Sequence, residues 1–309
     1  MLKPGRKEFM YFGIPGSQNW EQVQAIHKGW SSDRKCKLLS EGSSCLLRLS
    51  TAEQYAAKQK EFLIIQKYAA EGIAMSQPLA FGRCEEGVYM LLSWVEGEEL
   101  KTALPKLPQA EQYRLGRCAG ELLRRLHHIP LAPEDVPEQS KHARQRAKLE
   151  RYLACGRRAP NDAAAVSHVQ KNLHKIWSLP PVYQHGDFHP GNMVLLSSGA
   201  PALIDFNRWE VSDPYEEFCR IELFTIEDSL PFSVGQIDGY FADAVPADFW
   251  EIQSVYAALN GLCSICWAIP YGEEEVQGML RRFARSMTYY EGFTRRVPTW
   301  YEAYSANKK

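Results

Sequence analysis

The chain has 309 residues, 45% of them hydrophobic and 24% charged, and carries a formal net charge of −1. That length and apolar content suffice for one large domain or two lobes, while the near-neutral balance gives no bulk attraction to nucleic acid or an anionic membrane. No apolar run approaches the roughly 20 residues of a membrane span, and Lys3, Arg6, Lys7 and Glu8 interrupt the start where a secretory signal needs an apolar core, so a cytoplasmic protein is expected.

Eight cysteines, at 36, 45, 84, 118, 155, 219, 263 and 266, show no framework spacing and read as reduced thiols. Cys263-Ser264-Ile265-Cys266 lies in an apolar stretch with no second pair of ligands, which suits buried helix thiols better than a redox or zinc site.

No element is assigned to residues 1–20. Three short runs at 23–26, 36–39 and 45–49, separated by Gly29-Trp30-Ser31-Ser32-Asp33 and Ser40-Glu41-Gly42-Ser43, predict antiparallel strands joined by tight turns. Ser50-Thr51-Ala52-Glu53 reads as a capping box opening a helix that ends at Gly72. Tyr55, Phe62, Ile65 and Tyr68 form its apolar face, with Glu61 at the edge. Strands follow around 78–81 and 88–95. Beyond Gly97 the pattern is helical, beginning with 110–127, where Leu115, Cys118, Ala119, Leu122 and Leu126 recur at helical spacing and Pro130 and Pro133 stop the run. Residues 141–158 carry seven Lys/Arg against one Glu, which without interleaved aromatics reads as a solvated helix face rather than an RNA surface. Helices rich in aromatics are expected over roughly 213–228, 234–242, 247–268 and 272–305.

Between these helical stretches lies His185-Gly186-Asp187-Phe188-His189-Pro190-Gly191-Asn192, then Met193-Val194-Leu195-Leu196, a turn, and Ala202-Leu203-Ile204-Asp205-Phe206-Asn207. Gly191 lets the loop turn back so that the Asn192 amide oxygen faces the same cavity as Asp187, and two short apolar strands bring Asp205 alongside. Phosphoryl-transfer enzymes use such a set: an aspartate for the attacking hydroxyl, an asparagine five residues later and a further aspartate for magnesium. Asp187, Asn192 and Asp205 fit those roles. Asp213-Pro214-Tyr215-Glu216 then reads as a capped helix start, which makes Glu216 and Glu217 structural.

The octapeptide from His185 to Asn192, Leu203-Ile204-Asp205-Phe206, and Ser212-Asp213-Pro214-Tyr215-Glu216-Glu217-Phe218 resemble the aminoglycoside phosphotransferase family of the protein-kinase-like fold, whose relatives include choline kinases and other antibiotic kinases. The likeness extends loosely over most of the chain. It implies an α+β, two-lobed fold, with a small antiparallel-sheet N-lobe over 1–95 that binds nucleotide and a mostly helical C-lobe over 96–309 that holds the catalytic loop and acceptor. The implied activity is ATP- and magnesium-dependent phosphorylation of a small-molecule hydroxyl. The resemblance also implies nucleotide roles for Ser31 and Ser32 over the phosphates, for an Arg48–Glu61 ion pair with arginine in place of the kinase lysine, and for the Ser93 carbonyl and Val95 N–H at the adenine edge.

From Asp205 to Glu275 the chain has fifteen Asp/Glu, two Arg and no Lys, a balance of 2 − 15 = −13 against −1 + 13 = +12 elsewhere. Such an acidic field beside the catalytic loop predicts a polycationic acceptor, an aminoglycoside or basic peptide antibiotic ahead of a choline-type amino alcohol, contacted by Glu210, Asp238, Glu273, Glu274 and Glu275. Other readings are a metabolic small-molecule kinase, a nucleotide-binding pseudoenzyme, and a metal-dependent hydrolase using His185-x-Asp187-x-His189. The pseudoenzyme would be marked by loss of Asp187, Asn192 or Asp205, and all three are present. The hydrolase lacks zinc-type spacing among His127, His128, His168 and His174, and His185 reads instead as a brace bonded to the loop backbone.

Overall fold

The structure, a computed structural model, describes residues 11, 13–27 and 32–307. In chain order the regular elements are β1 (Trp20–Ile26), β2 (Arg34–Ser40), β3 (Ser43–Ser50), α1 (Tyr55–Ala70), β4 (Pro78–Cys84), β5 (Gly87–Ser93), β6 (Glu98–Glu99), α2 (Leu100–Ala103) and α3 (Gln109–His127). They continue with α4 (His142–Ala154), α5 (Ala163–Asn172), β7 (Val182–Gln184), β8 (Met193–Leu195), β9 (Pro201–Leu203), β10 (Glu210–Ser212), α6 (Ile226–Asp228), α7 (Leu230–Phe241), α8 (Ala247–Ala268), α9 (Glu273–Tyr289) and α10 (Thr299–Asn307). They fall into two compact units, one holding the described residues up to Gly97 with Ala202–Asn207, the other Glu98–Pro201 with those from Arg208 onward.

The first unit is a five-stranded sheet, order β1-β2-β3-β5-β4, antiparallel throughout. Period-two alternation sorts its faces. Cys36 and Leu38 of β2, Leu47 and Leu49 of β3 and Tyr89 of β5 pack with Tyr11 and Ile14 into one cluster. In register, Lys35, Arg48 and Met90 sit side by side on adjacent strands, out of phase with those apolar residues. Helix α1 packs on β4 and β5 through Phe62, which stacks on Phe81 at 5.5 Å, and buries Ile64, Ile65 and Tyr68. The capping box is one residue later than its expected position, because Thr51 takes the extended cap conformation and donates its N–H to Gln54. Glu61 is buried rather than at the helix edge. Residues 202–207, expected in the C-lobe, belong to this unit: Leu203 N–H donates to Ala74 O at 2.8 Å, Ser76 N–H donates to Leu203 O at 3.2 Å, and Phe206 packs on Tyr68.

The second unit is mostly helical, with two small antiparallel pairings, β7 with β10 and β6 with β8. Helices α3 and α7 approach to backbone contact through glycines: a Cβ on Gly120 would lie 2.1 Å from Gln236 O, and one on Gly239 2.2 Å from Arg117 O. Helix α8 is the centre, packed by α4, α5 and α9. Contrary to the sequence expectation, the segment Ala247–Tyr271 is long and apolar enough to cross a membrane, yet two-thirds of its most apolar window is buried inside the unit, as a core helix requires. Residues 213–228 are not one helix but a 3-10 turn (Pro214–Phe218), a π turn (Ile221–Thr225) and α6, and the expected 272–305 helix breaks after Tyr289 at the left-handed residues Glu291, Gly292 and Phe293. Cys155 and Cys266 form a disulfide, which corrects the reading of all eight cysteines as thiols. The packing of α4 on α8 joins residues 111 apart in sequence, a proximity no local pattern reveals.

Candidate active site

In the second unit β7 leads directly into the catalytic loop. His185 is fully buried and its Nδ1 accepts from the Asp187 N–H at 3.3 Å, the backbone brace expected of it. Gly186 has φ +80°, a left-handed conformation that costs a residue with a Cβ, and its N–H donates to Glu217 Oε1 at 2.9 Å. Around the Asp187 carboxylate stand Arg220 Nε at 3.0 Å, His189 Nε2 at 3.6 Å and Arg208 Nε at 3.7 Å. Burial pushes this carboxyl up, but the His189 hydrogen bond and the charges of Arg220, His189 and Arg208 outweigh it and hold Asp187 well below the usual carboxylate range. It is therefore ionised at any working pH, suited to orienting a hydroxyl and taking its proton late.

The loop closes in a 3-10 turn, Pro190–Asn192, in which His189 Nδ1 accepts from Gly191 N–H at 3.1 Å. Asn192 Nδ2 donates to the Asp187 carbonyl at 2.9 Å, so its amide oxygen is the atom left to meet a cation.

In the first unit Asp205 follows β9 with φ +62°, a left-handed conformation uncommon outside glycine and asparagine-like residues and often found at functional positions. Its Oδ2 accepts from Lys35 Nζ at 3.0 Å, whereas Oδ1 is buried and has no hydrogen-bond partner among the described residues. An orphaned buried carboxylate oxygen is the donor a hard divalent cation takes, so this residue fits magnesium. Among the described residues no group of three or more His, Cys, Asp or Glu side chains is arranged to hold a metal ion.

The Arg48–Glu61 pair exists, but its setting differs from the expectation. Arg48 is buried and donates from Nη1 to Glu61, from Nε to Asp33 at 3.0 Å and from Nη2 to Asp33 at 2.5 Å, while Lys58 bonds both carboxylates at 2.7 and 3.2 Å. Burial would raise the Asp33 carboxyl, yet Arg48 and Lys58 bring it down to about 2. With its guanidinium committed to two buried acids, Arg48 braces the sheet, and Lys35, its register partner on β2, is the cation that reaches Asp205. Lys35, Asp33 and Lys58 went unrecognised in the sequence. Strand alternation put Lys35 and Arg48 on one face, the one available signal.

Ser31 lies outside the described residues, and Ser32 is exposed just before β2. Ser93 closes β5 opposite Cys45, with its N–H donating to Gln77 O and its Oγ accepting from Gln77 N–H, each at 2.8 Å, and Val95 lies in the irregular segment between β5 and β6.

The second unit also holds a cavity of about 560 Å³ beside the loop, lined by Gly186, Arg208 and Arg220, by Arg144 and Lys148 of α4, by Asn260, Cys263 and Trp267 of α8, and by Glu210, Glu216 and Glu217. Of the five acids expected to touch the acceptor only Glu210 lines it, and Lys141 at 2.5 Å and Arg144 at 2.9 Å already bind that carboxylate. Asp238 is buried on α7, accepting from Tyr113 and Tyr301 hydroxyls at 2.8 and 2.6 Å. Glu273 pairs with Arg157, and Glu274 and Glu275 are exposed in the first turn of α9. Counting charge along the chain missed the partners of Glu210 and Glu273 because those cations arrive from 141–157.

Residues 22–250 match the model of the phosphotransferase enzyme family, APH. A search of curated proteins found no match. Among solved structures, a thermostable mutant of aminoglycoside phosphotransferase APH(4)-Ia in ternary complex with ADP and hygromycin B aligns with TM-score 0.64 at 14% identity, covering 86% of this chain and 93% of that one. The GDP complex of an aminoglycoside 2'-phosphotransferase-IIIa mutant gives 0.62 at 14%, covering 90% and 94%. The gentamicin complex of APH(2")-IIa gives 0.59 at 16%, covering 86% and 92%. At such identities the likeness is one of fold, and it agrees with the mixed architecture above. Since the family model spans most of the chain and takes in the whole loop around Asp187, the protein belongs to the phosphotransferase enzyme family and is a phosphotransferase acting on a hydroxyl acceptor.

Proposed function

We propose that the chain transfers the γ-phosphoryl group of ATP, with magnesium, to a hydroxyl of a small molecule in the cytoplasm. The observation that carries this reading is Asp205, whose buried Oδ1 has no hydrogen-bond partner among the described residues while Oδ2 is held by Lys35. Asp205 and the Asn192 amide oxygen are the groups assigned to the metal, which when bound offsets charge on the β and γ phosphates. Lys35, rather than Arg48, is the cation assigned to the phosphates. Asp187 orients the acceptor hydroxyl and receives its proton as the new O–P bond forms. Its depressed pKa suits a loose transition state in which the proton leaves late.

The related structures contain ADP or GDP, which supports a nucleotide donor, and hygromycin B or gentamicin, which supports a cationic antibiotic as acceptor. The acidic field behind that acceptor class is largely spent in ion pairs, as Glu210 and Glu273 show. The test is Asp187→Asn, which should lower turnover by roughly 10²-fold or more with ATP affinity little changed. Turnover like that of the wild type would remove Asp187 from the mechanism.

A further inference from the structure

The cavity beside Asp187 presents accessible positive charge and inaccessible negative charge. Its carboxylates are ion-paired or shielded from the cavity. Glu217 Oε1 holds the Gly186 N–H at 2.9 Å, and although its Oε2 has no hydrogen-bond partner among the described residues, that oxygen is buried and the side chain is 1% exposed. Glu216 accepts from Gln145 at 2.7 Å and Ser212 at 2.6 Å and is 12% exposed. Glu210 is shared by Lys141 and Arg144, whose hydrogen bonds and charges overcome its burial and keep it ionised below the usual range.

The cations are less engaged. The Arg144 side chain is 53% exposed despite its bond to Glu210, and Arg208 is 44% exposed, with Asp187 at 3.7 Å as its ion-pair partner. Lys148 stands 3.9 Å from Glu216, beyond hydrogen-bond distance. An ammonium-rich guest would meet these cations first and would have to displace Lys141 or Arg144 to reach Glu210. A carboxylate or phosphate would add a charge-assisted partner to groups that have room for one. Trp209 and Trp267 supply apolar wall for the remainder of the guest.

Resting on the kinase reading, we infer that the acceptor carries an anionic group, a carboxylate or phosphate, close to its reactive hydroxyl, and that Arg144, Lys148 and Arg208 receive it. The acceptor class is then hydroxy acids and sugar acids or sugar phosphates, opposite in sign to the aminoglycosides.

The experiment uses the full chain saturated with magnesium and AMP-PNP, at constant ionic strength, in a thermal-shift panel of matched acceptors. Each set keeps one carbon skeleton in acidic, neutral and amine form: galacturonate, galactose and galactosamine; glucose 6-phosphate, glucose and glucosamine. Gentamicin is added as the polycation, and turnover with ATP is measured on the same panel. Acids should raise Tm by a few degrees and head the turnover ranking. Lys148→Gln and Arg144→Gln should each shrink the acid shift, and the double variant should abolish it. Stabilisation or turnover confined to amines, no shift from any acid, or an acid shift that survives in the double variant overturns the inference. The kinase reading fails separately, if magnesium and AMP-PNP do not stabilise the wild-type protein.

Discussion

Replacing Gly186 with alanine tests whether the loop geometry around Asp187 is set by close backbone approach. An ideal Cβ at Gly186 would lie 1.8 Å from the Arg208 carbonyl oxygen and 2.5 Å from its carbon. Ordinary contact needs about 3.4 Å, so Gly186 and Arg208 must separate by more than about 1 Å. The left-handed φ of +80° adds about 1–2 kcal/mol of strain, and overpacking of this kind typically costs about 1–3 kcal/mol. The sum is about 2–5 kcal/mol, which for a unit of this size lowers Tm by roughly 5–15 °C. The same movement carries Arg208 away from Asp187 and loosens the Gly186 bond to Glu217, and a 1 Å misplacement near the chemistry costs on the order of 10²-fold in rate. Thermal unfolding and a coupled nucleotide assay on Gly186→Ala read both effects. Gly156→Ala is the control, since a Cβ there meets nothing within 4 Å. If Gly186→Ala matches the control in Tm and kcat, the close approach is not what positions the loop.

Asp205→Ala should abolish activity at ordinary magnesium and Asn192→Ala should raise the magnesium requirement, read from magnesium titrations of kcat; an unchanged requirement in both would misplace the metal ligands. Arg48→Met leaves Asp33 and Glu61 without their guanidinium partner and should cost about 3–5 kcal/mol in urea unfolding, so a loss under about 1 kcal/mol would refute the buried network. Burial pushes the Glu222 carboxyl up to about 7, against the opposing hydrogen bonds of Trp300 and Ser286 and the charge of Arg285. The folded chain then binds a proton that the unfolded chain releases near 4.5, so stability falls as pH rises from about 4.5 to about 7 and levels off above, a change of about 3 kcal/mol. Glu222→Gln should remove that slope from unfolding midpoints measured across this range; an unaltered slope assigns it to other groups.

The local structure holding Asp187, Asn192 and Asp205 was legible because it is written at short range: one turn with Gly186 and Gly191 sets the loop, and two apolar triplets space the second aspartate. The sheet was legible from its short runs and the turn residues between them, and in the fold period-two alternation over β2, β3 and β5 separates Cys36, Leu38 and Leu47 from Lys35 and Arg48. The Arg48–Glu61 pair forms as expected, whereas Asp33 and Lys58 beside it, and the Lys35–Asp205 pair, join groups across elements where alternation names a face but not which cation on it meets which acid. Charge counting along the chain leaves out ion-pair partners in the same way: Glu210 and Glu273 are matched by Lys141, Arg144 and Arg157, residues some 66 to 116 positions away. Local spacing thus determined the motif from His185 to Asn192, the sheet strands and most of the helices. Only the tertiary structure decided the pairings that tune them, among them the Cys155–Cys266 bond and the transfer of residues 202–207 to the first unit, because ion pairs, disulfides and strand additions join whatever the packing of helices and strands brings within a few ångströms.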